Sequence, residues 1–241
     1  MKDKDPLPEP SVKYNFLEGA TLLVDKPKGW TSFDVVNKLR YKLKQKLGVK
    51  KIKVGHAGTL DPMATGLLII CTGKSTKQID SYQNLPKEYI GTLTFGATTP
   101  SYDAETEVDG TYPIDHLNPR FLREKIEQFK GKIEQVPPMF SAIKVDGQPL
   151  YKKARKGEKI EVQARTVSIY DFELTRFEPP EADILVRCSK GTYIRSLAHD
   201  LGKAAGSGAY LSALCRTKIG PHQLEHAWQL EPLLEYIEEQ Y

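Results

Sequence analysis

The run Gly55-His56-Ala57-Gly58-Thr59-Leu60-Asp61-Pro62-Met63-Ala64-Thr65-Gly66 is the most informative stretch of the 241-residue chain. Its three glycines and one proline give a tight, backbone-defined loop that holds one carboxylate, Asp61, in a fixed pose. An Asp-Pro pair alone is an ordinary turn former, so the weight of the stretch comes from its surroundings. Just before it, from Lys38 to Lys53, lie eight basic residues (Lys38, Arg40, Lys42, Lys44, Lys46, Lys50, Lys51, Lys53) and no acid, which would bring phosphates close to that carboxylate. A second basic cluster is Lys152, Lys153, Arg155, Lys156 and Lys159. After Lys218 there is no Lys or Arg, while Glu225, Glu231, Glu235, Glu238 and Glu239 accumulate. A basic stripe opposed by an acidic end reads as a polyanion-binding face, with a solvated helix face as the alternative.

The rest of the composition bounds the class. The chain has the length of one large domain, or of a domain with a small appendage, and 39% hydrophobic residues suffice for an ordinary core. The longest apolar run, Leu67 to Cys71, is far too short to cross a bilayer. The charged, proline-broken N-terminus lacks a signal-peptide core, so a cytoplasmic protein is expected. Cys71, Cys188 and Cys215 have no CxxC or histidine pattern, which points to reduced structural thiols and to no metal site.

Along the chain, residues 1–18 read as a flexible tail and Thr21 to Val24 as a strand. A helix capped by Thr31 or Ser32 carries Val36, Leu39, Leu43 and Leu47 at helical spacing and stops at Gly48. Tyr89 to Phe95 alternates as a strand. Asn118-Pro119 starts a helix that runs to Gly131. Residues 137–157 read as a long functional loop, Val162 to Phe177 and Ile184 to Ser189 as strands, Thr192 to Leu201 and Leu230 to Gln240 as helices. Without a regular βαβ rhythm, these elements predict an α+β fold around a mixed, mainly antiparallel sheet.

The GHAGTLDPMATG block resembles the nucleophile motif of the bacterial tRNA pseudouridine-55 synthases, the TruB family. Further elements of that family occur here in order. They are Asp25-Lys26-Pro27-Lys28-Gly29, Lys87-Glu88-Tyr89, Pro138-Met139-Phe140-Ser141-Ala142, Cys188 to Arg195 (CSKGTYIR) and Leu214-Cys215-Arg216-Thr217. The resemblance runs from about Ala20 to Gly220. It implies the pseudouridine synthase fold, a central sheet flanked by helices with an RNA-binding cleft and an RNA-contacting insertion at 137–157, in a catalytic domain over 19–220. Family members often carry a C-terminal PUA domain, whereas here a short acidic helix is expected over 221–241.

The resemblance implies that a T-loop uridine of tRNA is isomerised to pseudouridine. The N-glycosidic bond breaks, the base turns, and its C5 bonds to the sugar. No redox change occurs, so no cofactor is expected. A carboxylate suits this task, and Asp61 would stabilise or trap the electron-poor sugar carbon or add to the base. Arg195 would pair with Asp61, and Tyr89 would stack on the flipped uracil, with movement of a proton as a second role. The resemblance further implies that His56 positions the target nucleotide, that Lys26 supports the nucleophile loop or a phosphate, and that Tyr193 and Leu214 line the site. Lys50, Lys51 and Lys53, with Lys152, Lys153 and Arg155, would hold the T stem-loop of tRNA, and no obligate protein partner or membrane is expected of a monomer. Two rivals remain, a carboxylate-dependent nucleosidase and an RNA-folding chaperone. Most glycosidases need two carboxyls flanking the bond, and Asp61 has no acidic partner in the matched motifs.

Overall fold

The computed structural model describes residues 13–145, 147–158 and 160–240. Residues 1–12 of the expected tail, and Lys159 of the second basic cluster, lie outside them. Within the described part of that tail, Tyr14 and Phe16 pack on the core. Phe16 is 1% exposed inside a core cluster, and Tyr14 stacks on it at 5.7 Å between ring centroids.

The first elements are β1 (Thr21–Lys26), α1 (Ser32–Lys46), β2 (Val54–Ala57), β3 (Thr65–Thr72), α2 (Ile79–Asn84) and β4 (Lys87–Phe95). Short β5 (Ala97–Thr98) and β6 (Gly110–Thr111) follow, then α3 (Pro119–Ile126) and β7 (Gly131–Gln135). The expected loop at 137–157 contains β8 (Lys144–Val145), β9 (Gln148–Pro149) and α4 (Leu150–Ala154). The chain closes with β10 (Arg165–Glu178), β11 (Glu181–Cys188), α5 (Ile194–Ala204), β12 (Ala209–Ile219), β13 (His222–Gln223), β14 (Trp228–Gln229) and α6 (Leu230–Gln240). The fold is α+β, with a large mixed sheet and flanking helices. No helix of the described residues is long and apolar enough to cross a membrane.

The chain divides into two compact units, Met1–Tyr89 with Cys215–Tyr241, and Ile90–Leu214. In the first, the strand order is β14-β1-β3-β12, with β2 added to β3 and β13 to β12. β1 and β3 are antiparallel, β1 and β14 parallel, and β3 and β12 parallel. β3 is apolar throughout because both its faces are covered. Leu68 and Ile70 pack with Val36, Leu39 and Leu43 of α1 and Leu233 and Ile237 of α6, while Leu67, Ile69 and Cys71 join Ala57 and Ile219. A strand buried on two sides loses the period-two alternation by which strands are recognised. α1 starts on a capping box, in which Thr31 Oγ1 accepts from Asp34 N–H at 3.0 Å and Asp34 Oδ2 accepts from Thr31 N–H at 2.9 Å. The helix ends at the Leu47 cap before Gly48, as its spacing predicts.

In the second unit, β10 pairs antiparallel with β11 and with β7, and Phe172 and Leu174 face Val186 and Ile184 across the ladder. α3 starts at Asn118, whose Oδ1 accepts from Phe121 N–H, and it ends at Ile126 rather than running to Gly131. A short 3-10 turn, Glu127–Phe129, fills the gap. Cys71, Cys188 and Cys215 are thiols rather than disulfide partners. Replacing Phe16 by Ala removes a buried ring from the first unit's core, and a loss of about 3–5 kcal/mol in unfolding free energy is expected from denaturant melts. A change within about 0.5 kcal/mol is the signature of a loose tail and would contradict this packing.

Candidate active site

The Asp61 loop is built by the backbone and held from beneath by buried charged side chains. It joins β2 to β3, and the Asp61 carbonyl accepts from Ala64 N–H at 3.1 Å, closing a tight turn. Two glycines make the path possible. Gly58 and Gly66 have φ of +92° and +104°, a region closed to most side chains. Gly66 also faces Arg216 in the parallel β3–β12 pair, where an added Cβ would meet the Arg216 nitrogen at 2.6 Å and its carbonyl oxygen.

Four neighbours fix the loop. The Ser32 hydroxyl accepts from Leu60 N–H at 2.8 Å and donates to the Leu60 carbonyl at 3.2 Å, so the residue before Asp61 is held on both sides. Gly29 N–H donates to the Pro62 carbonyl at 2.8 Å. Asp25 Oδ1 accepts from Gly66 N–H at 3.1 Å, and its Oδ2 accepts from Gln229 at 2.8 Å. Arg216, 1% exposed, donates through Nε to the Leu67 carbonyl at 2.8 Å and through one terminal nitrogen to the Gly58 carbonyl at 3.0 Å. The fork of a guanidinium suits this bridge, because two donors leave one planar group in different directions.

Lys26, at the end of β1, is fully buried and donates to the Pro27 and Trp30 carbonyls at 2.9 and 2.6 Å. Burial lowers its pKa to about 8, against the opposing pull of the Asp61 and Asp25 charges, while Arg216 pushes the same way as burial. Lys26 thus ties together the turn that follows β1. His56, on β2 opposite Ile70, is held below its ordinary pKa by burial and then by the Arg216 charge, so its neutral form is favoured.

Lys87 of the Lys-x-Tyr element is buried and donates to the Gln83 and Leu85 carbonyls at 2.5 and 2.6 Å, tying the end of α2 to the start of β4. Two residues on, Tyr89 is buried in β4.

In the second unit, Arg195 is 3% exposed in the first turn of α5. It donates to the Ser101 carbonyl at 3.1 Å and the Phe140 carbonyl at 2.9 Å, and it forms an ion pair with buried Asp103 at 3.4 Å. Asp103 is itself held by the Ser101 hydroxyl at 2.5 Å. Tyr193 caps α5. Its backbone exchanges two hydrogen bonds with the buried Gln135 side chain, and the Arg165 guanidinium lies 4.6 Å from its ring centroid. Leu214 is buried in β12.

Sequence reasoning missed Ser32, Asp25, Asp103 and Arg216 as site residues. Asp25 and Arg216 left a signal, since each stands in a quoted family element, Asp25-Lys26-Pro27-Lys28-Gly29 and Leu214-Cys215-Arg216-Thr217.

The basic residues divide. Lys50, Lys51 and Lys53 are exposed, as are Lys152 and Arg155, with Lys153 half-buried. Lys42 and Lys46 instead bind Glu238 of α6, the latter at 2.6 Å. The acidic C-terminal helix therefore packs beside the basic helix, correcting the expected opposition of a basic stripe and an acidic end. Charge attraction and the shared apolar stripe of α1 and α6 account for this.

Comparisons with known proteins point to one family. Residues 44–194 match the model of the TruB family pseudouridylate synthase N-terminal domain, and residues 195–241 that of the tRNA pseudouridylate synthase B C-terminal domain. The tRNA pseudouridine synthase B of Phocaeicola vulgatus is 55% identical over 226 residues, 94% of this chain and 96% of the relative. That of Flavobacterium johnsoniae is 58% identical over 213 residues, 88% and 93% of the two chains. Among solved structures, a Cbf5-Nop10-Gar1 complex contains a chain 29% identical with a TM-score of 0.68, over 96% of this chain and 58% of that one. An H/ACA RNP bound to a substrate RNA containing 2'-deoxyuridine gives 26% and 0.66, over 92% and 54%.

The buried Lys26 makes a pH prediction. Between about pH 8 and its ordinary 10.5 the unfolded chain binds this proton and the folded chain does not, so stability rises with pH across that window. The unfolding free energy of the wild type should therefore gain on that of Lys26→Met as pH rises from 8 to 10.5. A constant gap between the two would show that Lys26 titrates normally.

Proposed function

Because the chain belongs to the TruB family of pseudouridylate synthases, whose reaction is the isomerisation of uridine in tRNA, we propose that it acts on the T-loop uridine, uridine-55, with Asp61 as nucleophile. The observation that carries the assignment is the fixing of the Asp61 loop by Ser32, Gly29, Asp25 and Arg216. A pre-positioned carboxylate needs no reorganisation when it meets the sugar carbon.

In the proposed sequence the target nucleotide leaves the stack, at a cost of a few kcal/mol recovered in the pocket. Asp61 engages the sugar carbon or the base while the N-glycosidic bond breaks. The uracil turns, its C5 bonds to C1′ of the ribose as Asp61 is released, the C5 proton is lost and N1 gains one. Atoms and electrons balance without a cofactor. Arg195 is assigned to pair with Asp61, with Asp103 orienting the guanidinium from behind. Tyr89 is assigned to stack on the uracil, with Tyr193 and Leu214 lining the pocket. His56, favoured in its neutral form, positions the nucleotide by contact rather than by proton transfer. Exposed Lys50, Lys51 and Lys53, with Lys152, Lys153 and Arg155, contact the phosphates of the T stem-loop. The enzyme is placed in the cytoplasm, acting as a monomer without an obligate protein partner.

A nucleosidase of the two-carboxylate kind is disfavoured. Asp25, whose charge acts on Lys26 together with that of Asp61, has both oxygens engaged by Gly66 and Gln229. It is a structural acceptor and not a general acid. Asp61→Asn keeps the side-chain shape and removes the nucleophilic charge. Tritium release from C5-labelled tRNA should fall by more than about a thousandfold, with tRNA affinity within about threefold of wild type by filter binding. Release within about tenfold of wild type would overturn the nucleophile assignment.

A further inference from the structure

We propose that Phe33, backed by Arg40, is a stacking platform for an unpaired base of the bound RNA, a contact that rests on the tRNA reading above. All eight phenylalanines of the chain are among the described residues, and Phe33 is the exposed one, at 59%. A ring left mostly in solvent is within reach of a ligand.

The ring is not isolated. The Arg40 guanidinium carbon lies over it, 5.9 Å from the centroid. That guanidinium is itself fixed, donating to Asn37 Oδ1 at 2.7 Å and to the Val54 carbonyl at 2.8 Å. A flat cation anchored at two points beside an aromatic ring is a pre-organised surface for a planar, electron-rich partner. Its place in the fold matters as much. Phe33 follows Ser32, whose hydroxyl clasps Leu60 on both sides, so the platform begins one residue from a contact with the loop that presents Asp61.

Charge selects the occupant. The turn of α1 puts Phe33, Asn37, Arg40 and Lys44 on one flank of its buried stripe, and Lys38, Lys42 and Lys46 on the other. Glu238 pairs with both Lys42 and Lys46 on that second flank and offsets part of their charge. The Phe33 flank continues into the exposed lysines at 50, 51 and 53. The nearby Asp34 carboxylate is engaged by Thr31 in the capping box. A cationic surface with an aromatic ring at its centre fits single-stranded RNA, whose phosphates meet the cations and whose bases stack on the ring. The enzyme's own substrate brings such a base, because a nucleotide lifted out of a loop leaves its neighbours unstacked.

The test compares Phe33→Ala, Phe33→Leu and Phe33→Trp by affinity for unmodified tRNA over a range of salt, by turnover at saturating tRNA and by thermal unfolding. A base–aromatic stack corresponds to about 5- to 100-fold in affinity. Ala and Leu should both weaken binding by about tenfold at every salt concentration, and Trp should stay within about threefold of wild type. The slope of log K against log salt should not change, because no phosphate contact is lost. Saturated turnover and melting temperature should match wild type. Unchanged affinity in the Ala variant, wild-type affinity in the Leu variant, or a flattened salt slope would each overturn the platform. These outcomes are read from variants against a wild type that binds and modifies tRNA. A wild type that does neither would overturn the functional reading as well.

Discussion

A buried guanidinium must find acceptors or leave the interior, and Arg216 finds them at two points that define the site. One donor reaches the Leu67 carbonyl in the central strand and another the Gly58 carbonyl in the loop that carries Asp61. Leaving such a charge unpaired would cost several kcal/mol, so the loop is held in one conformation by the same force that keeps the charge satisfied. The backbone complies because Gly66 approaches Arg216 too closely for any side chain and Gly58 adopts a positive φ. Lys26 lies in the same field. Burial and Arg216 both work against its charge, while Asp61 and Asp25 favour it. The site is thus a small set of opposed charges, in which the charge of the proposed nucleophile favours that of Lys26.

The same bookkeeping of charge shapes the surface. A run of lysines alternating along α1 would repel itself if every member faced solvent together. Glu238 relieves part of that repulsion at Lys42 and Lys46, and α6 adds Leu233 and Ile237 to the apolar contact. Exposed ion pairs of this kind contribute little to stability. Their consequence is directional, because they leave the cations of the other flank and of the following segment for a polyanion. A net charge of +4 gives no hint of this partition.

Much of this was legible in the sequence where local rules act alone. Thr31 with Asp34, and Asn118 with Pro119, announce helix starts because capping is satisfied within four residues. α6 was readable end to end, from Leu230 to Gln240, through its apolar spacing. β3 was not, because burial on both faces erases the alternation that marks a strand. β12 was missed as well, since its alternation is interrupted by the buried charge of Arg216. Within the site, Asp61 stood out through its glycine-rich frame. Asp25 acts through Gly66 and Gln229, 41 and 204 positions away along the chain, and Ser32 through Leu60, 28 positions away, and no local pattern encodes such separations. Phe16 was assigned to a tail because a single aromatic near a charged terminus carries no periodicity.

The central claim is that this chain alone isomerises one uridine of tRNA without releasing the base. It is tested most directly by incubating unmodified tRNA transcript with the purified protein and no other component, then mapping pseudouridine at nucleotide resolution while assaying free uracil. The account predicts one new pseudouridine, at the T-loop uridine, with no free uracil. Release of uracil, or a transcript whose T-loop uridine stays unmodified, would contradict it.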